Sequence, residues 1–405
     1  MVLSGDNTQT IQGRDIVVIS IQPWYYELGS NCKNIATEFA KSNRVLYVNI
    51  PITRKTYHSN KKSAGIEEHC RIIKEKKGNI KKISENLWQV FPTAIIESIN
   101  WIPSTLLFKS INTINNHRFA KDIAKAIAEL GFTNVILFND NDIYNGFLLK
   151  KILNPSLYIY YMRDFLQGYK FWEKHASVLE PSLIKEADLV VTNSVYYQQY
   201  CSRFNQNSFY VGQGCSFDYF DYQKSYEPPP EINLINKPII GYVGALDSSR
   251  LDINIIEFIA KHNSKWSIVL VGPEDENFKS SNLHEIKNIY FLGRKDLSQL
   301  AAFIRQFDVC INPQQINPIT NGNYPLKIDE YLALGKPVVA TKTKAMEVFE
   351  NFTKLALTKE AYPELIESSL LENAESKAIE RVLFAKSHSW ENSVHDIYKA
   401  ISIFI

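Results

Sequence analysis

The sequence predicts an α/β protein with two domains, each a doubly wound and mostly parallel sheet. Short apolar runs typical of fully buried strands alternate with helical patterns along the chain. The 405 residues are too many for one ordinary core and suit two domains of roughly 150 to 220 residues each. The alternation stops once, near residues 227–230, where three consecutive prolines indicate a stiff connector.

The strands are predicted from apolar runs of four to six residues. In the first domain they lie at residues 15–20, 44–49, 135–138, 157–161 and 189–192. In the second they lie at residues 238–243, 268–271, 289–292, 309–311, 338–340 and 355–357. An amphipathic helix is predicted near residues 390–401. We therefore place the domains at 14–222 and 238–385, a linker at 223–237 and a terminal helical segment at 386–405.

Composition excludes several classes of protein. The net charge of +2 argues against a dedicated nucleic-acid binder. Five cysteines at unrelated spacings indicate neither a disulfide framework nor a C-x-x-C metal site, and the eight histidines form no H-x-H or H-E-x-x-H pair. No apolar stretch reaches the ~18 residues of a membrane span. We expect a cytoplasmic, soluble or peripheral protein without a metal or cofactor.

A basic run precedes an apolar segment in the first domain. Ten lysines and arginines lie between Arg54 and Lys82, and residues 101–109 include Trp101 and Phe108. Basic residues beside an amphipathic segment suit contact with an anionic membrane at the inner face of the plasma membrane. The run is equally compatible with a solvated face or loop, and the segment with an ordinary lid.

The most informative segment is residues 324–341, with the sequence YPLKIDEYLALGKPVVAT. It predicts a loop, a helix, a Gly-Lys-Pro stop and a buried strand. Lys327 and Glu330, three residues apart, share one face of the helix's first turn. The helix start and Lys327 attract anions, while Glu330 can accept two hydrogen bonds from a vicinal diol. Phosphate and ribose together describe a nucleotide; a surface ion pair is the alternative.

A second candidate phosphate site lies at residues 241–252, with the sequence GYVGALDSSRLD. Small residues after a strand let backbone amides approach a phosphate, and Gly244 lies at that turn. Arg250 could add a bidentate clamp. The loop lacks G-x-G-x-x-G, which argues against a nicotinamide dehydrogenase. The chain also lacks a P-loop and a G-x-S-x-G elbow.

In the first domain, Asp164 follows a predicted buried strand, next to Arg163. The carboxyl ends of such strands face the ligand crevice, and a carboxylate there can take a proton from a hydroxyl. Asp164 could instead cap a helix or pair with Arg163. Asp140-Asn141-Asp142 matches Asp-x-Asp, but such clusters more often form turns and caps. The aromatic loop at residues 22–31 could stack on a sugar or a lipid, or pack in the core.

Residues 324–341 resemble the donor-binding segment of GT-B glycosyltransferases, the family-4-like enzymes that use nucleotide sugars. The resemblance implies that Glu330 holds the ribose and Lys327 the diphosphate, that residues 241–252 face the diphosphate, and that the backbone after Gly293 meets the nucleobase. An aspartate at the position of Asp164 is similar to the one in inverting, xanthan-type glucuronosyltransferases. Many relatives carry a glutamate eight residues before the ribose glutamate, facing the sugar, where this chain has Gly322.

The resemblance implies a GT-B fold, with two Rossmann-like domains facing a cleft and a C-terminal helix crossing back to the first. It also implies a metal-independent hexosyltransferase of bacterial surface-polysaccharide synthesis. Such an enzyme moves a sugar from a nucleotide sugar, here expected to be a UDP-sugar, to a saccharide or lipid-linked saccharide acceptor. A sugar-nucleotide epimerase of the same fold and a catalytically silent binding subunit are the alternatives. The catalytic residues are predicted to be Asp164, Lys327 and Arg250. The predicted nucleotide-sugar contacts are Glu330, Lys327, Arg250, Gly244, Leu326, Arg294 and Tyr324.

Overall fold

The structure is a computed structural model that describes residues 11–26, 30–372 and 374–405. Its internal contacts divide the chain into two compact units. The first comprises Met1–Gly212 and Ser393–Ile405, and the second comprises Gln213–Asn392. Part of the predicted aromatic loop, residues 27–29, lies outside the described residues.

The first unit is a doubly wound sheet whose eight described strands run in the order β3-β4-β2-β1-β5-β6-β7-β8. All neighbouring strands are parallel except β3 and β4, which are antiparallel. The strands are β1 Asp15–Ser20, β2 Arg44–Val48, β3 Ile80–Ser84, β4 Leu87–Val90, β5 Ile136–Asp140, β6 Leu157–Met162, β7 Leu189–Thr192 and β8 Ser208–Tyr210. The helices are α1 Asn31–Phe39, α2 Arg54–Tyr57, α3 Ala64–Glu75, α4 Thr105–Glu129, α5 Leu149–Leu153, α6 Lys170–Glu186 and α7 Val195–Cys201, with a 3₁₀ turn at Leu166–Gly168.

The second unit is a six-stranded parallel sheet in the order β11-β10-β9-β12-β13-β14, again within the described residues. Its strands are β9 Ile239–Val243, β10 Ser267–Val271, β11 Ile289–Phe291, β12 Val309–Asn312, β13 Val338–Thr341 and β14 Lys354–Ala356. Its helices are α8 Ile253–His262, α9 Glu276–Lys279, α10 Leu297–Gln306, α11 Lys327–Ala333, α12 Ala361–Leu370 and α13 Glu375–Ser387, with 3₁₀ turns at Asn282–Glu285 and Lys344–Phe349. The last helix, α14 Trp390–Ile401, continues into the residues grouped with the first unit.

Both sheets reverse their strand order at one point. In the first unit β1 lies between β2 and β5, and in the second β9 lies between β10 and β12. Loops that leave the carboxyl ends of two such strands turn to opposite sides and open a crevice, the usual ligand site of this architecture. The loops after β1 and β5, and those after β9 and β12, are therefore the candidate ligand sites of the two units.

The core of each unit comes from the apolar strands. The central strands β1, β5 and β6 are buried along their whole length, as are β9 and β10. Helices cover both faces of the second sheet, since one cluster packs α11 against the sheet and another packs α8. Residues 223–237 contain no described helix or strand, and Ile232 and Ile235 pack into the core of the second unit. No described helix has the length and hydropathy to cross a membrane.

Candidate functional site

The start of α11 and the loop after β9 meet in the second unit. The Lys327 ammonium lies 5.1 Å from the centre of the Tyr242 ring, at the end of β9. A methyl group at Gly244 would lie 3.0 Å from Cε of Lys327, and Gly244 has a φ of +141°. Glycine is therefore required here both by its backbone conformation and by the approach of the lysine. The two predicted phosphate-binding elements are neighbours.

A buried tyrosine fixes this arrangement. Tyr331, on α11, is fully buried, and its hydroxyl lies 2.8 Å from the backbone nitrogen of Val243. The backbone N–H of Val243 donates this hydrogen bond at the end of β9. Because the bond joins α11 directly to the strand, the position of Lys327 relative to the loop is set by the core.

Arg250 lies on the same side of the sheet, held by the loop after β12. The backbone N–H of Gln315 donates to the carbonyl oxygen of Arg250 at 2.9 Å, and Asn317 Nδ2 donates to that of Ser249 at 2.8 Å. The Arg250 guanidinium donates to Oδ1 of Asn323 at 3.4 Å, in the segment that leads into α11. Arg250 is thus linked to the segment that leads into α11.

Glu330 is a partly exposed carboxylate to which no described residue donates a hydrogen bond. Desolvation raises its pKa to about 7, an effect that the neighbouring Lys327 charge opposes and Asp329 reinforces. A carboxylate that has lost water but gained no protein donor is suited to accept hydrogen bonds from ligand hydroxyls. This is the geometry that a ribose contact needs.

Asp329, the next residue, has the opposite environment. It is fully buried, and it accepts hydrogen bonds from the Tyr324 hydroxyl at 2.7 Å and from Nδ1 of His388 at 2.8 Å. Burial raises the pKa of Asp329, while His388 and Tyr324 oppose that rise. The Tyr324 side chain is itself buried, so its hydroxyl positions the segment before Lys327. Sequence reasoning missed the roles of Asp329 and His388.

The other predicted nucleotide contacts lie around the same sheet edge. Leu326 is partly buried against the core beneath α11. Arg294 is exposed after β11, the edge strand, and no described hydrogen bond or ion pair connects it to Lys327. The structure thus brings Lys327 and Gly244 together and links Arg250 to the segment before α11, and the role of Arg294 stays a prediction.

Sequence reasoning also missed a polar side chain in the core of the second unit. Asn312, at the end of β12, is fully buried, and neither its Oδ1 nor its Nδ2 has a hydrogen-bond partner among the described residues. Side chains alternate along a strand, so Asn312 faces the same side as Cys310, the side covered by α11. Its only signal in the sequence was a polar residue ending an apolar run.

In the first unit, Asp164 is held in an ion-pair network at the carboxyl ends of β5 and β6. Arg163, between two carboxylates, donates from Nη1 to Asp164 at 2.5 Å and from Nε to Asp140 at 2.7 Å. Asp140 also accepts from the Ser20 hydroxyl at 2.6 Å, which joins the loops after β1 and β5. The Asp164 side chain keeps 15% of its surface exposed. Pairing with Arg163, one of the two alternatives to a base role, is present.

Asn141 anchors the backbone beneath Asp164. Its Oδ1 accepts from the backbone N–H groups of Arg163 at 2.9 Å and Asp164 at 3.0 Å. Its Nδ2 donates to the Tyr160 hydroxyl at 3.2 Å, and that hydroxyl donates to Glu180 at 2.8 Å. Glu180 is fully buried, and desolvation raises its pKa to about 7. This supporting network, which the sequence did not reveal, orients Asp164.

Asp140-Asn141-Asp142 forms a turn in which both carboxylates bond to protein groups. Asn141 has a φ of +56°, and Asp142 accepts from the backbone N–H of Asn145 at 2.9 Å. The rings of the loop after β1 pack locally: Trp24 meets Tyr47 edge-on at 5.1 Å, and Tyr25 stacks on Phe91 at 5.9 Å.

The apolar segment 101–109 splits between surface and core. Trp101 is 71% exposed, whereas Phe108 is fully buried and stacks on His175 at 4.0 Å. The expectation that Phe108 adds to an exposed surface is therefore wrong, because α4 turns this ring toward α6. The basic run is likewise divided, since Arg54, Arg71 and Lys81 form ion pairs with Glu97 or Glu68.

Comparisons with known proteins agree with this architecture. Residues 237–375 match the sequence profile of the family described as "Glycosyl transferases group 1". The chain is 25% identical over 178 residues to a putative teichuronic acid biosynthesis glycosyltransferase, TuaH, of Bacillus subtilis. That alignment spans 42% of this chain and 45% of the relative, so it covers less than half of the relative's length.

Solved structures match over nearly the whole chain. Sucrose-phosphate synthase from Thermosynechococcus elongatus superposes with a TM-score of 0.70 at 15% identity, covering 96% of this chain and 98% of that one. Anabaena HepE, in complex with UDP and glucose, gives a TM-score of 0.63 at 15% identity, covering 96% and 100%. At these identities the likeness concerns the fold alone. The chain has the GT-B fold of these structures, and its residues 237–375 are similar to the glycosyl transferases group 1 family.

Proposed function

We propose that the protein is a glycosyltransferase of surface-polysaccharide synthesis. It transfers a hexose from a nucleotide sugar, a UDP-sugar, to a saccharide or lipid-linked saccharide acceptor on the cytoplasmic side of the membrane. The observation that carries the proposal is the meeting of Lys327, Gly244 and Arg250 beside the unpartnered Glu330 carboxylate. Likeness to a glycosyltransferase family and to a protein crystallised with UDP and glucose supports it.

In the proposed reaction, the second unit binds the donor. Glu330 accepts the ribose hydroxyls, while Lys327 and Arg250 contact the diphosphate. As the glycosidic bond to the diphosphate breaks, negative charge grows on the leaving phosphate, and preformed cations in a water-poor crevice stabilise it. We propose that these protein cations take the place of a metal ion.

The first unit supplies the acceptor side of the reaction. If the enzyme inverts the anomeric centre, the Asp164 carboxylate takes the proton from the acceptor hydroxyl as that oxygen attacks the sugar carbon. Arg163 and Asn141 hold Asp164 in a fixed position for this step. A retaining enzyme would need no such base, and Asp164 would then have a structural role.

Gly322 keeps one alternative open, because relatives place a sugar-facing glutamate at that position. A binding subunit without catalytic activity would retain the nucleotide site and lack turnover. Slow hydrolysis of a nucleotide sugar by the purified protein would exclude such a subunit. Dependence of sugar release on an added acceptor would separate a transferase from an epimerase.

A thermal-shift panel of UDP-, GDP-, dTDP- and ADP-sugars tests the donor. A ligand present at ~100 times its dissociation constant adds about 2.7 kcal/mol to the free energy of unfolding, which a shift in melting temperature reports. We expect UDP-sugars to give the largest shift. Equal and negligible shifts for all four classes would contradict the proposed function.

A further inference from the structure

A pocket of about 200 Å³ opens in the first unit, apart from the network around Asp164. Its wall includes Ile21 after β1, Ile50 after β2, and Tyr144 after β5. Phe171 and Trp172, at the start of α6, close another side. These loops leave the carboxyl ends of the strands, so the pocket lies on the side of the sheet where the proposed acceptor binds.

Most polar side chains of this wall already bond to the protein, the exceptions among the described residues being Ser98 and Asn100. Asn112 donates to the carbonyl oxygen of Tyr144 at 2.9 Å. Asn115 accepts from the backbone N–H of Glu97 at 2.9 Å and donates to its carbonyl oxygen at 3.0 Å. The Glu97 carboxylate pairs with Arg54 at 2.8 Å. A ligand therefore meets mainly isoleucine and aromatic surface, which favours hydrocarbon over sugar hydroxyls.

The apolar surface continues outside the pocket. Phe171 lines it and is 54% exposed. Trp101, Leu106 and Leu107, beside the start of α4, are 71%, 79% and 53% exposed. The two helix starts are adjacent, because Phe108 of α4 stacks on His175 of α6. Exposed apolar side chains grouped at two adjacent helix starts, an apolar strip, indicate an interaction site.

Positive charge accompanies the strip. Lys109 on α4, and Lys170 and Lys174 on α6, form no ion pair with any residue in the described ranges. Three lysines against the single exposed carboxylate of Glu173 leave these helix starts with a positive charge, which is complementary to an amphiphile that carries a phosphate. The combination matches neither a free saccharide nor a bare hydrocarbon.

We propose that this pocket binds the hydrocarbon chain of a phosphate-bearing lipid carrier, so that the acceptor is lipid-linked and not a free saccharide. This inference rests on the proposed function, because the bound lipid is the acceptor only if the protein is a glycosyltransferase. The methylene groups of the lipid nearest its phosphate would lie against Ile50, Tyr144 and Trp172. The phosphate would lie near the lysines at the helix starts.

The test measures binding of n-alkyl phosphates of four to ten carbons, below their micellar concentrations, by calorimetry. Inorganic phosphate is the control without a chain. Each buried methylene contributes enough to tighten binding roughly fourfold, so affinity should rise with chain length until the pocket is filled. Affinity that does not depend on chain length would overturn the proposal.

Two variants locate the site. Phe171→Gln should weaken decyl phosphate binding about tenfold, and Ser98→Phe should block the pocket by filling it. Val178→Gln is the matched control, because Val178 is 45% exposed on the same helix and does not line the pocket. Equal losses in Phe171→Gln and Val178→Gln, or unchanged binding in Ser98→Phe, would place the ligand elsewhere.

UDP binding measured on the same variants keeps the two proposals separate. We expect it to be unchanged in all three, since the substitutions lie in the first unit. Chain-dependent alkyl phosphate binding without UDP binding would support the pocket and contradict the donor assignment. UDP binding without alkyl phosphate binding would overturn the lipid carrier and leave the glycosyltransferase proposal intact.

Discussion

Glu330 and Asp329 are neighbours on one short helix, yet described protein groups donate hydrogen bonds only to the Asp329 carboxylate. Asp329 bonds to Tyr324 and His388, whereas the Glu330 carboxylate has no described donor. The motif predicts that Glu330 is the one that contacts a ligand, because Glu330 shares a face with Lys327. It could not predict the Asp329–His388 contact, since 59 residues separate the two side chains.

Glu330 gives the first prediction. Glu330→Ala should weaken UDP binding by roughly 1.5–3 kcal/mol, the range for hydrogen bonds to a charged group. Because the pKa of Glu330 is about 7, wild-type affinity should rise between pH 6 and pH 8 as the carboxylate ionises, and the variant should lose this dependence. Calorimetric titration of UDP at several pH values measures both effects.

The same pKa has a consequence for stability without ligand. A carboxyl whose pKa is raised on folding holds its proton more tightly in the folded state. Its contribution to the free energy of unfolding therefore falls as pH rises from 4.5, the ordinary pKa of a glutamate, through about 7. Glu330→Gln should be more stable than wild type at pH 8 and similar at pH 4.5 or below. Glu364→Gln, an exposed change on α12, is the control; a pH-independent difference would refute the assignment.

Asp164 gives the second prediction. If it is the general base, Asp164→Asn should lower turnover ~100- to 10,000-fold and leave donor affinity nearly unchanged. The asparagine is nearly isosteric, so the hydrogen bond from Arg163 can persist and the fold should be kept. Steady-state kinetics and the anomeric configuration of the product test whether Asp164 is the general base. Retention of configuration, or more than about a tenth of wild-type turnover, would make Asp164 structural.

At the scale of elements, the sequence predicted all six strands of the second sheet and the five central strands of the first, and missed the outer strands of the first. β1 and β7 occur at the predicted residues, and the other predicted strands differ by only one or two residues at their ends. The unpredicted strands β3, β4 and β8 lie at the two edges of the first sheet. β3 has two lysines among its five residues and β8 has three residues in all, so neither carries an apolar run.

Two elements that converge from distant parts of the sequence give the third prediction. Lys327 begins α11, and Arg250 precedes α8. If both contact the diphosphate, Lys327→Met and Arg250→Gln should each lower turnover with a nucleotide sugar more than binding of the bare nucleoside. Lys287→Met removes an exposed lysine at another loop and serves as the control. Equal losses for uridine and UDP would count against the assignment.

At the scale of the whole molecule, the candidate site of the second unit can be predicted from the sequence, whereas the apolar pocket of the first unit cannot. The donor side carries a local motif, because one helix start presents both the lysine and the glutamate. The candidate acceptor side is assembled from loops after β1, β2, β5 and β6, whose residues are far apart in the sequence. The apolar pocket on this side is visible only in the structure. Isoleucines and aromatic residues occur in the loops of many proteins, so the sequence gives no sign that they line one pocket.

The last prediction concerns the membrane. In the basic run Arg54, Arg71 and Lys81 are paired with Glu97 or Glu68, whereas the other seven basic residues form no described ion pair. Trp101, Leu106 and the unpaired Lys170 and Lys174 add a second candidate contact to that run. We expect salt-sensitive sedimentation with anionic vesicles, because each basic residue near such a surface contributes about 1 kcal/mol before screening.

Leu106→Ser should reduce vesicle binding severalfold, whereas Leu234→Ser should not. Leu234 is 91% exposed but lies in the second unit, so it matches Leu106 in type and exposure but not in location. Absence of vesicle binding at low salt would contradict the membrane contact and favour delivery of the acceptor from solution. Equal losses in the two variants would show a nonspecific effect of removing exposed leucine. Because these measurements need no glycosyl transfer, they test the membrane contact independently of the donor site.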